Sequence, residues 1–132
     1  YSRSSKDVLR GLHTQLNRPQ GKLVSCFRGV IFDVVVDINP ESKAFGSHIG
    51  IELSEHNHYQ LWIPPGYAHG FCVLSDYADF SYKCTDFYDP RSESGILWSD
   101  PDLKIEWPVD CPIVSAKDQE LPSLREIRNG IV

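Results

Sequence analysis

The sequence predicts an all-β domain, a sandwich or barrel of short strands, with a short helical and irregular C-terminal segment. In the first two-thirds of the chain, apolar residues alternate with polar ones or form short apolar runs. Turn-forming residues separate these runs, and no helical pattern lies between them to suggest a parallel α/β sheet. With 132 residues the chain can bury one sizeable core, so we expect residues 1–132 to form a single domain.

Each of the seven predicted strands is an alternating or apolar run that turn-forming residues interrupt. In chain order the predicted strands are Val8–Gln15, Lys22–Arg28, Val30–Ile38, His48–Leu53, Tyr59–Ile63, Phe71–Leu74 and Asp79–Thr85. The main separators are rich in Asn, Pro, Gly and Ser and comprise residues 17–21, 39–42, 64–66 and 75–76. Short strands at this spacing favour a closed or two-layered β architecture.

The C-terminal third lacks this strand pattern. Asp89-Pro90 and Asp100-Pro101 predict turns, and Trp98 and Trp107 are expected to anchor the irregular chain to the core. One helix is predicted, over Leu121–Asn129, because Gly130 follows it as a stop signal. We therefore expect one compact β domain with a long C-terminal excursion.

Composition restricts the classes of function. The hydrophobic fraction of 41% and the charged fraction of 23% are typical of a globular domain, and no apolar run is long enough to cross a membrane. A formal net charge of −5 argues against general nucleic-acid binding. The four cysteines form no CxxC pair and no secretory signal is present, so we expect a reducing, cytoplasmic compartment. Cys26, Cys72 and Cys84 fall in apolar strand patterns and are predicted to be buried.

Three cationic or proton-carrying side chains fall on neighbouring predicted strands. Arg10 and His13 are three positions apart and would face opposite sides of an unbroken strand, but Gly11 can bend the strand and turn both towards one cavity. With Lys22 on the next strand, they would supply an anion clamp, a proton carrier and a fixed charge for chemistry beside a carbonyl group. The alternative is a half-buried strand whose polar side chains meet water.

Residues 64–69, Pro-Pro-Gly-Tyr-Ala-His, have the P-x-G-x-x-H form of the second motif of cupins, which are double-stranded β-helix jelly rolls. Upstream, His56 and His58 match the first cupin motif only loosely, because an apolar residue occupies its glutamate position. Since a metal needs three or four converging donors, a metal-free jelly roll with a surface His56/His58 pair is the better interpretation. His69 either faces the mouth of the barrel or bonds to a backbone carbonyl group.

Two further side chains each allow a structural and a chemical interpretation. Tyr82 lies on the run Phe80, Tyr82, Cys84, which faces one side of the sheet, so its phenol either packs there or donates a proton into the cavity. Asp118 follows an apolar pair and either begins a helix or folds back onto His13, where a carboxylate would fix the imidazole tautomer.

In order along the chain, these segments resemble the dTDP-4-dehydrorhamnose 3,5-epimerase family, which acts on nucleotide-linked 4-keto sugars. The stretches that carry the resemblance are residues 8–13 (VLRGLH), 20–24 (QGKLV), 29–34 (GVIFDV), 60–71 (QLWIPPGYAHGF), 82–88 (YKCTDFY), 100–103 (DPDL), 107–108 (WP) and 115–118 (SAKD). Together they span nearly the whole chain, which makes the resemblance more specific than any single motif. It implies a cupin-like jelly-roll fold.

The resemblance also implies roles for eight residues. The catalytic base falls on His13, its partner carboxylate on Asp118, the lysine near the keto oxygen on Lys22 and the general acid on Tyr82. Positions that line the pocket fall on His69 and Tyr88, and positions that hold the substrate's pyrophosphate fall on Arg10 and Lys117.

The implied reaction inverts C3 and C5 of a dTDP-4-keto-6-deoxy hexose through an enolate at C4. A base on one face of the sugar removes an acidified proton and an acid on the other face returns one. No metal or redox cofactor is implied. The resemblance further implies a homodimer. Members of the family also have an additional N-terminal segment that binds the nucleotide, and this segment is expected to be missing before Tyr1.

Three alternatives remain open from the sequence. The protein could invert only C3 or only C5 of a related sugar nucleotide. It could be a metal-binding cupin, such as a dioxygenase or a metal-dependent isomerase. It could also be a module that binds a sugar nucleotide without turning it over.

Overall fold

Two β-sheets packed face to face contain most of the regular secondary structure of the protein. The computed structural model describes residues 2–130, which contain ten strands and two short helices. The strands are β1 (Ser2–Ser5), β2 (Val8–Gln15), β3 (Lys22–Arg28), β4 (Val30–Asp37), β5 (His48–Ser54), β6 (Gln60–Ile63), β7 (Tyr67–Val73), β8 (Tyr77–Cys84), β9 (Glu93–Gly95) and β10 (Ile113–Val114). The helices are α1 (Ala116–Gln119) and α2 (Leu124–Arg128), and no helix within the described residues is long and apolar enough to cross a membrane.

The strand order is that of a jelly roll. One sheet has four strands in the order β1-β8-β3-β6, and the other has the order β10-β2-β7-β4-β5, with β9 also paired to β2. Among the described strands, only the pairing of β10 with β2 is parallel. The predicted all-β fold is confirmed.

Strand β4 is buried on both faces, which explains its nearly continuous apolar sequence. Ile31 and Val35 point between the sheets and pack in one cluster with Val24 and Phe80 of the opposite sheet. Val34 and its alternate neighbours point outward instead. They pack in a second cluster with Ile96, Leu103 and Leu124, which the C-terminal excursion supplies.

Most predicted strands occur within a few residues of their predicted bounds. Strand β7 begins at Tyr67, four residues before the predicted start at Phe71, because its first residues pair with Asp37 and its neighbours on β4. The predicted helix over Leu121–Asn129 is shorter, because Ser123 forms a capping box that begins α2 at Leu124. Strands β1, β9 and β10 and helix α1 were not predicted, since two to four residues are too few to show a periodic pattern.

The cysteines divide into buried and exposed thiols. Cys26 and Cys72 are buried as predicted, and burial raises the pKa of their thiols to about 11 and about 12. The prediction that Cys84 is buried is wrong. Cys84 is the last residue of β8, where the sheet opens towards a pocket that it lines.

Candidate active site

A cavity of about 390 Å³ opens between the two sheets, at the polar end of the barrel. Six of the eight predicted site residues line it: Arg10, His13, Lys22, His69, Tyr82 and Tyr88. A smaller pocket of about 160 Å³ adjoins the cavity and shares His13, Lys22, Tyr82 and Tyr88 with it. Phe71 and Phe80 line the cavity and also belong to the apolar cluster between the sheets. The cavity is therefore continuous with the hydrophobic core.

A β-bulge in β2 turns Arg10 and His13 towards the same cavity. Arg10 pairs with Phe71 and His13 with His69, so three residue steps on β2 stand opposite two on β7. The extra residue changes the alternation of the strand, and both side chains therefore face the same side. Gly11 makes the bulge possible, because its φ is +109° and a Cβ there would lie 2.6 Å from the carbonyl oxygen of His69.

His13 is held by a buried carboxylate. Its Nε2 lies 2.7 Å from Oδ1 of Asp118, whose Oδ2 accepts the backbone N–H of Gly11 at 3.0 Å. Asp118 lies in the first turn of α1, after the N-cap Ser115. Burial alone would raise the pKa of the Asp118 carboxyl, but the hydrogen bonds from His13 and Gly11 outweigh it, and the pKa is lowered. Asp118 is therefore a carboxylate at neutral pH.

Lys22 and Tyr82 face His13 from the other sheet. They are diagonal neighbours on β3 and β8, and Nζ of Lys22 lies 5.5 Å from the centre of the Tyr82 ring. Burial lowers the pKa of the Lys22 ammonium, against the opposing charges of Cys84 and Asp33. Burial also raises the pKa of the Tyr82 phenol, which therefore keeps its proton at neutral pH. The cavity thus has a histidine–carboxylate pair on one wall and two proton-bearing groups on the other.

His69 is bonded to a carboxylate rather than to a backbone carbonyl group. Its Nε2 lies 2.5 Å from Oδ1 of Asp33 on the neighbouring strand β4, and Asp33 has no solvent exposure. Asp33 was missed in the sequence because it lies inside an otherwise apolar strand. An isolated acid at an interior-facing position of such a strand is the signal that could have found it.

Glu93 links two predicted site residues at the rim of the cavity. Its Oε2 accepts the hydroxyl of Tyr88 and the ammonium of Lys117, each at 2.7 Å. Burial opposes these bonds, but together they lower the pKa of Glu93, and the bond to Glu93 raises the pKa of Lys117. Lys117 is 67% exposed and is not among the cavity-lining side chains of the described residues. Glu93 was missed because a lone glutamate in the irregular C-terminal third carries no sequence signal.

Arg10 lines the cavity, and within residues 2–130 its guanidinium group makes one hydrogen bond to another side chain. Its Nε donates to Oγ of Ser4 at 3.3 Å. The positive charge of Arg10 partly offsets the rise in the pKa of the Tyr82 phenol.

His56 and His58 lie in an exposed turn, as predicted for a surface pair. Among residues 2–130, no three His, Cys, Asp or Glu side chains are grouped so that they could hold a metal ion.

Comparison with known proteins identifies close relatives. Residues 1–126 match the family model described as dTDP-4-dehydrorhamnose 3,5-epimerase. The enzyme of that name from Shigella flexneri is 57% identical over 119 residues, which are 89% of this chain and 66% of that protein. A more distant relative from Streptomyces niveus, named dTDP-4-dehydrorhamnose 3-epimerase, is 38% identical over 128 residues, 96% of this chain and 62% of that protein.

A solved structure of the same kind superposes closely. The epimerase of Legionella pneumophila Philadelphia 1, in complex with dTDP-4-keto-L-rhamnose, matches with a TM-score of 0.94 and 51% identity, over 99% of this chain and 70% of that one. The chain spans about two-thirds of the length of the curated relatives it matches. The matched region contains both sheets and every side chain of the cavity described above. From the family match over residues 1–126 and these identities, we conclude that the chain belongs to the dTDP-4-dehydrorhamnose 3,5-epimerase family.

Proposed function

We propose that this chain inverts C3 and C5 of a dTDP-4-keto-6-deoxy hexose, giving dTDP-4-keto-L-rhamnose or a related deoxysugar. The observation that carries the proposal is the arrangement of His13–Asp118 and Tyr82 on opposite walls of one cavity. Inversion requires that a proton leaves one face of a carbon and another arrives at the opposite face. A base and an acid on the same wall could exchange a proton but could not invert the centre.

In the proposed mechanism, His13 is the base. Its Nε2–H donates to Asp118, so Nδ1 carries the lone pair that takes the proton from C3 or C5. The electron pair of the broken C–H bond forms the C=C bond of an enolate, and the charge moves to the oxygen at C4. Asp118 then stabilises the imidazolium ion. A positioned base of this kind typically contributes about 10²–10⁴-fold in rate.

Lys22 and Tyr82 complete the cycle from the opposite sheet. The ammonium of Lys22 stabilises the C4 oxyanion, an effect that is worth about 3–4 kcal/mol for a well-placed donor. Tyr82 delivers its proton to the carbon from the face opposite His13, and the ketone forms again. The raised pKa of Tyr82 supports this role, because the phenol is protonated when the enolate forms.

The remaining predicted residues bind the substrate in this proposal. His69 lines the floor of the cavity, and Arg10 and Lys117 hold the pyrophosphate. Tyr88 is exposed at the rim, where its ring can contact the nucleotide. Lys117 has to share its ammonium between Glu93 and a phosphate oxygen, because it is bound to Glu93 in the absence of substrate.

Deuterium incorporation tests the proposal directly. The protein is incubated with dTDP-4-keto-6-deoxy-glucose in heavy water, and C3 and C5 are followed by NMR. We expect deuterium at both carbons and a rhamno-configured product. Deuterium at one carbon indicates a single-centre epimerase. This alternative is specific, because the chain is also similar to the 3-epimerase of Streptomyces niveus. No exchange at either carbon contradicts both functions and favours a binding module.

We further propose that residues 1–132 act as a single epimerase domain, as a homodimer, in the cytoplasm. The exposed edge strands and aromatic side chains, such as Trp62 at 52% exposure, support association. The four cysteines are free thiols, as expected in a reducing compartment. Sedimentation velocity at several protein concentrations tests the assembly, and a single monomer species throughout contradicts it.

A further inference from the structure

The buried amide of Gln15 is bonded to three backbone groups at the mouth of the cavity. Gln15 is the last residue of β2, two positions after His13, and it is 6% exposed. Its Nε2 donates to the carbonyl oxygens of Arg18 at 2.9 Å and Phe87 at 3.3 Å, and its Oε1 accepts the N–H of Asp89 at 2.9 Å. Each polar atom of the amide is therefore bonded, as a buried amide requires.

Two of these bonds lie on either side of Tyr88. The carbonyl group of Phe87 and the N–H of Asp89 belong to the residues before and after it, so the Gln15 side chain holds the backbone of Tyr88 at both ends. A residue in a neighbouring parallel strand makes the same pair of bonds with its own N–H and C=O groups. Gln15 thus acts as a strand partner for a segment that lies between β8 and β9 and belongs to neither.

The neighbouring bonds reach Asp86 and the hydroxyl of Tyr88 instead. Arg18 forms an ion pair with Asp86 at 2.8 Å, but both side chains are exposed, and such pairs contribute little. Gln20 donates to the carbonyl oxygen of Asp86 at 2.7 Å. Because Tyr88 itself is 62% exposed, packing contributes little to its placement. The placement of its backbone therefore depends on Gln15.

We propose that Gln15 is a positioning residue, which holds the ring of Tyr88 at the mouth of the cavity in the orientation that the nucleotide of the substrate contacts. This inference rests on the proposed function, in which Tyr88 contacts the nucleotide. Gln15 does not bind the substrate, because its amide is engaged by the backbone. A ring that is held in place before binding loses less conformational entropy on binding. Gln15 therefore strengthens nucleotide binding without taking part in proton transfer.

Binding of dTDP, the nucleotide part of the proposed substrate, tests this inference by isothermal titration calorimetry. Gln15→Met keeps the length of the side chain and loses all three hydrogen bonds. We expect its Kd for dTDP to rise about tenfold, within the range of one base–aromatic stacking contact. Its KM for dTDP-4-keto-6-deoxy-glucose should rise by a similar factor. Its kcat should change less than about threefold, because the groups that move the protons are unaltered.

The double variant Gln15→Met/Tyr88→Ala tests whether Gln15 acts through Tyr88. In Tyr88→Ala no ring is left for Gln15 to position. The double variant should therefore bind dTDP no more weakly than Tyr88→Ala alone. A loss of stability without a role in positioning would not produce this pattern, because it leaves the Kd of the folded protein unchanged.

The matched control is Asn57→Leu, which removes an amide with the same number of backbone bonds. Oδ1 of Asn57 accepts the N–H groups of Ser54 and Tyr59, and its Nδ2 donates to the carbonyl oxygen of Glu52. These bonds hold the turn after β5, and Asn57 lines neither the cavity nor the pocket beside it. The Kd of this variant for dTDP should equal that of the unmodified protein.

Hydrogen exchange of the ligand-free protein tests the bond from Gln15 to the segment without any nucleotide. The N–H of Asp89 lies outside the strands, and its acceptor is the Gln15 side chain. We expect NMR to show this N–H protected in the unmodified protein and to show it exchanging about tenfold faster in Gln15→Met. The measurement on the unmodified protein decides the point even if Gln15→Met does not fold.

Three results would overturn this inference alone. They are an unprotected Asp89 N–H in the unmodified protein, a Kd for Gln15→Met equal to that of Asn57→Leu, and a double variant whose loss is the product of the two single losses. Failure of the unmodified protein to bind dTDP would overturn the proposed function, and this inference with it.

Discussion

At the scale of single residues, burial between the sheets sets the chemical state of the side chains that face the cavity. Lys22 shows this most directly, because burial disfavours its charged form and lowers its pKa. A depressed lysine pKa means that the unfolded state binds more protons than the folded state at pH values between the two pKa values. The free energy of unfolding therefore rises with pH across that window, up to about 10.5.

We predict that Lys22→Met stabilises the protein while it lowers activity. At pH 7 the thermal midpoint should rise by about 4 °C, roughly what 1 kcal/mol gives in a domain of this size. The gain should shrink as the pH rises through the folded-state pKa and past 10.5, above which the lysine is neutral in both states. Lys83→Met is the matched control, since Lys83 is exposed and pairs with the neighbouring Leu23. An equal midpoint change in both variants would contradict the prediction.

His13→Ala should retain the fold and lose most turnover. The side chain is partly exposed and its Asp118 partner keeps the hydrogen bond from Gly11, so the structural cost is small. Loss of the base should lower kcat at least about 10²-fold. Circular dichroism checks the fold, and initial rates of deuterium incorporation check the base. Exchange within tenfold of the unmodified protein removes His13 from this role.

Tyr82→Phe should separate proton removal from inversion. His13 on the opposite sheet still takes a proton and exchanges it with solvent, but no acid protonates the other face. We expect deuterium at the reacting carbon of recovered substrate, with little epimerised product. The measurement is NMR of both species from one reaction. If exchange is lost together with inversion, Tyr82 also takes part in binding or in forming the enolate.

The contacts of some site residues could be predicted from the sequence, and those of others could not. The His13–Asp118 contact was one of two interpretations of Asp118, and the structure brings the side chains to 2.7 Å. Asp33 was missed because its partner His69 is 36 positions away, and Glu93 was missed because it lies in the irregular C-terminal third. A hydrogen bond between strands, such as Asp33 to His69, leaves no periodic trace in a single chain.

At the scale of single elements, the bulge in β2 decides whether the site exists. Arg10 and His13 are three positions apart, so in a regular strand without the bulge one of the two side chains would point away from the cavity. The possible bend at Gly11 was visible in the sequence. The start of β7 at Tyr67 was not visible in the sequence, because Pro64-Pro65-Gly66 predicted a longer turn. Its first residues are in a strand because they pair with β4, and such pairing cannot be read from local sequence.

We predict that Gly11→Ala destabilises the protein far more than Gly66→Ala. Both glycines have positive φ, +109° and +93°, so both substitutions carry backbone strain of about 1–3 kcal/mol. Only at Gly11 does the added Cβ also meet backbone, since nothing lies within 4 Å at Gly66. The clash should add at least about 1–3 kcal/mol. Urea unfolding of both variants measures the difference, and equal losses would show that β2 can shift away from β7.

At the scale of the whole molecule, the C-terminal excursion belongs to the same cooperative structure as the sheets. It supplies Leu103 and Leu124 to the cluster that buries the outer face of β4, and it carries Asp118 back to His13. The sequence predicted the excursion and its anchoring by tryptophans, and Trp107 packs against this cluster. It did not predict which face of the sheet the excursion covers, because an irregular segment has no periodicity that indicates it.

We therefore predict that sheets and excursion unfold together. In Trp62→Phe the remaining tryptophans, Trp98 and Trp107, lie in the excursion, where the indole N–H of Trp107 donates to the carbonyl oxygen of Trp98 at 3.0 Å. Their fluorescence reports on the excursion, while far-ultraviolet circular dichroism reports on the sheets. The two urea midpoints should coincide, because the outer face of β4 loses its cover if the excursion detaches. A lower fluorescence midpoint would mean that Asp118 can leave His13 while the barrel stays folded, so that activity would be lost before the fold.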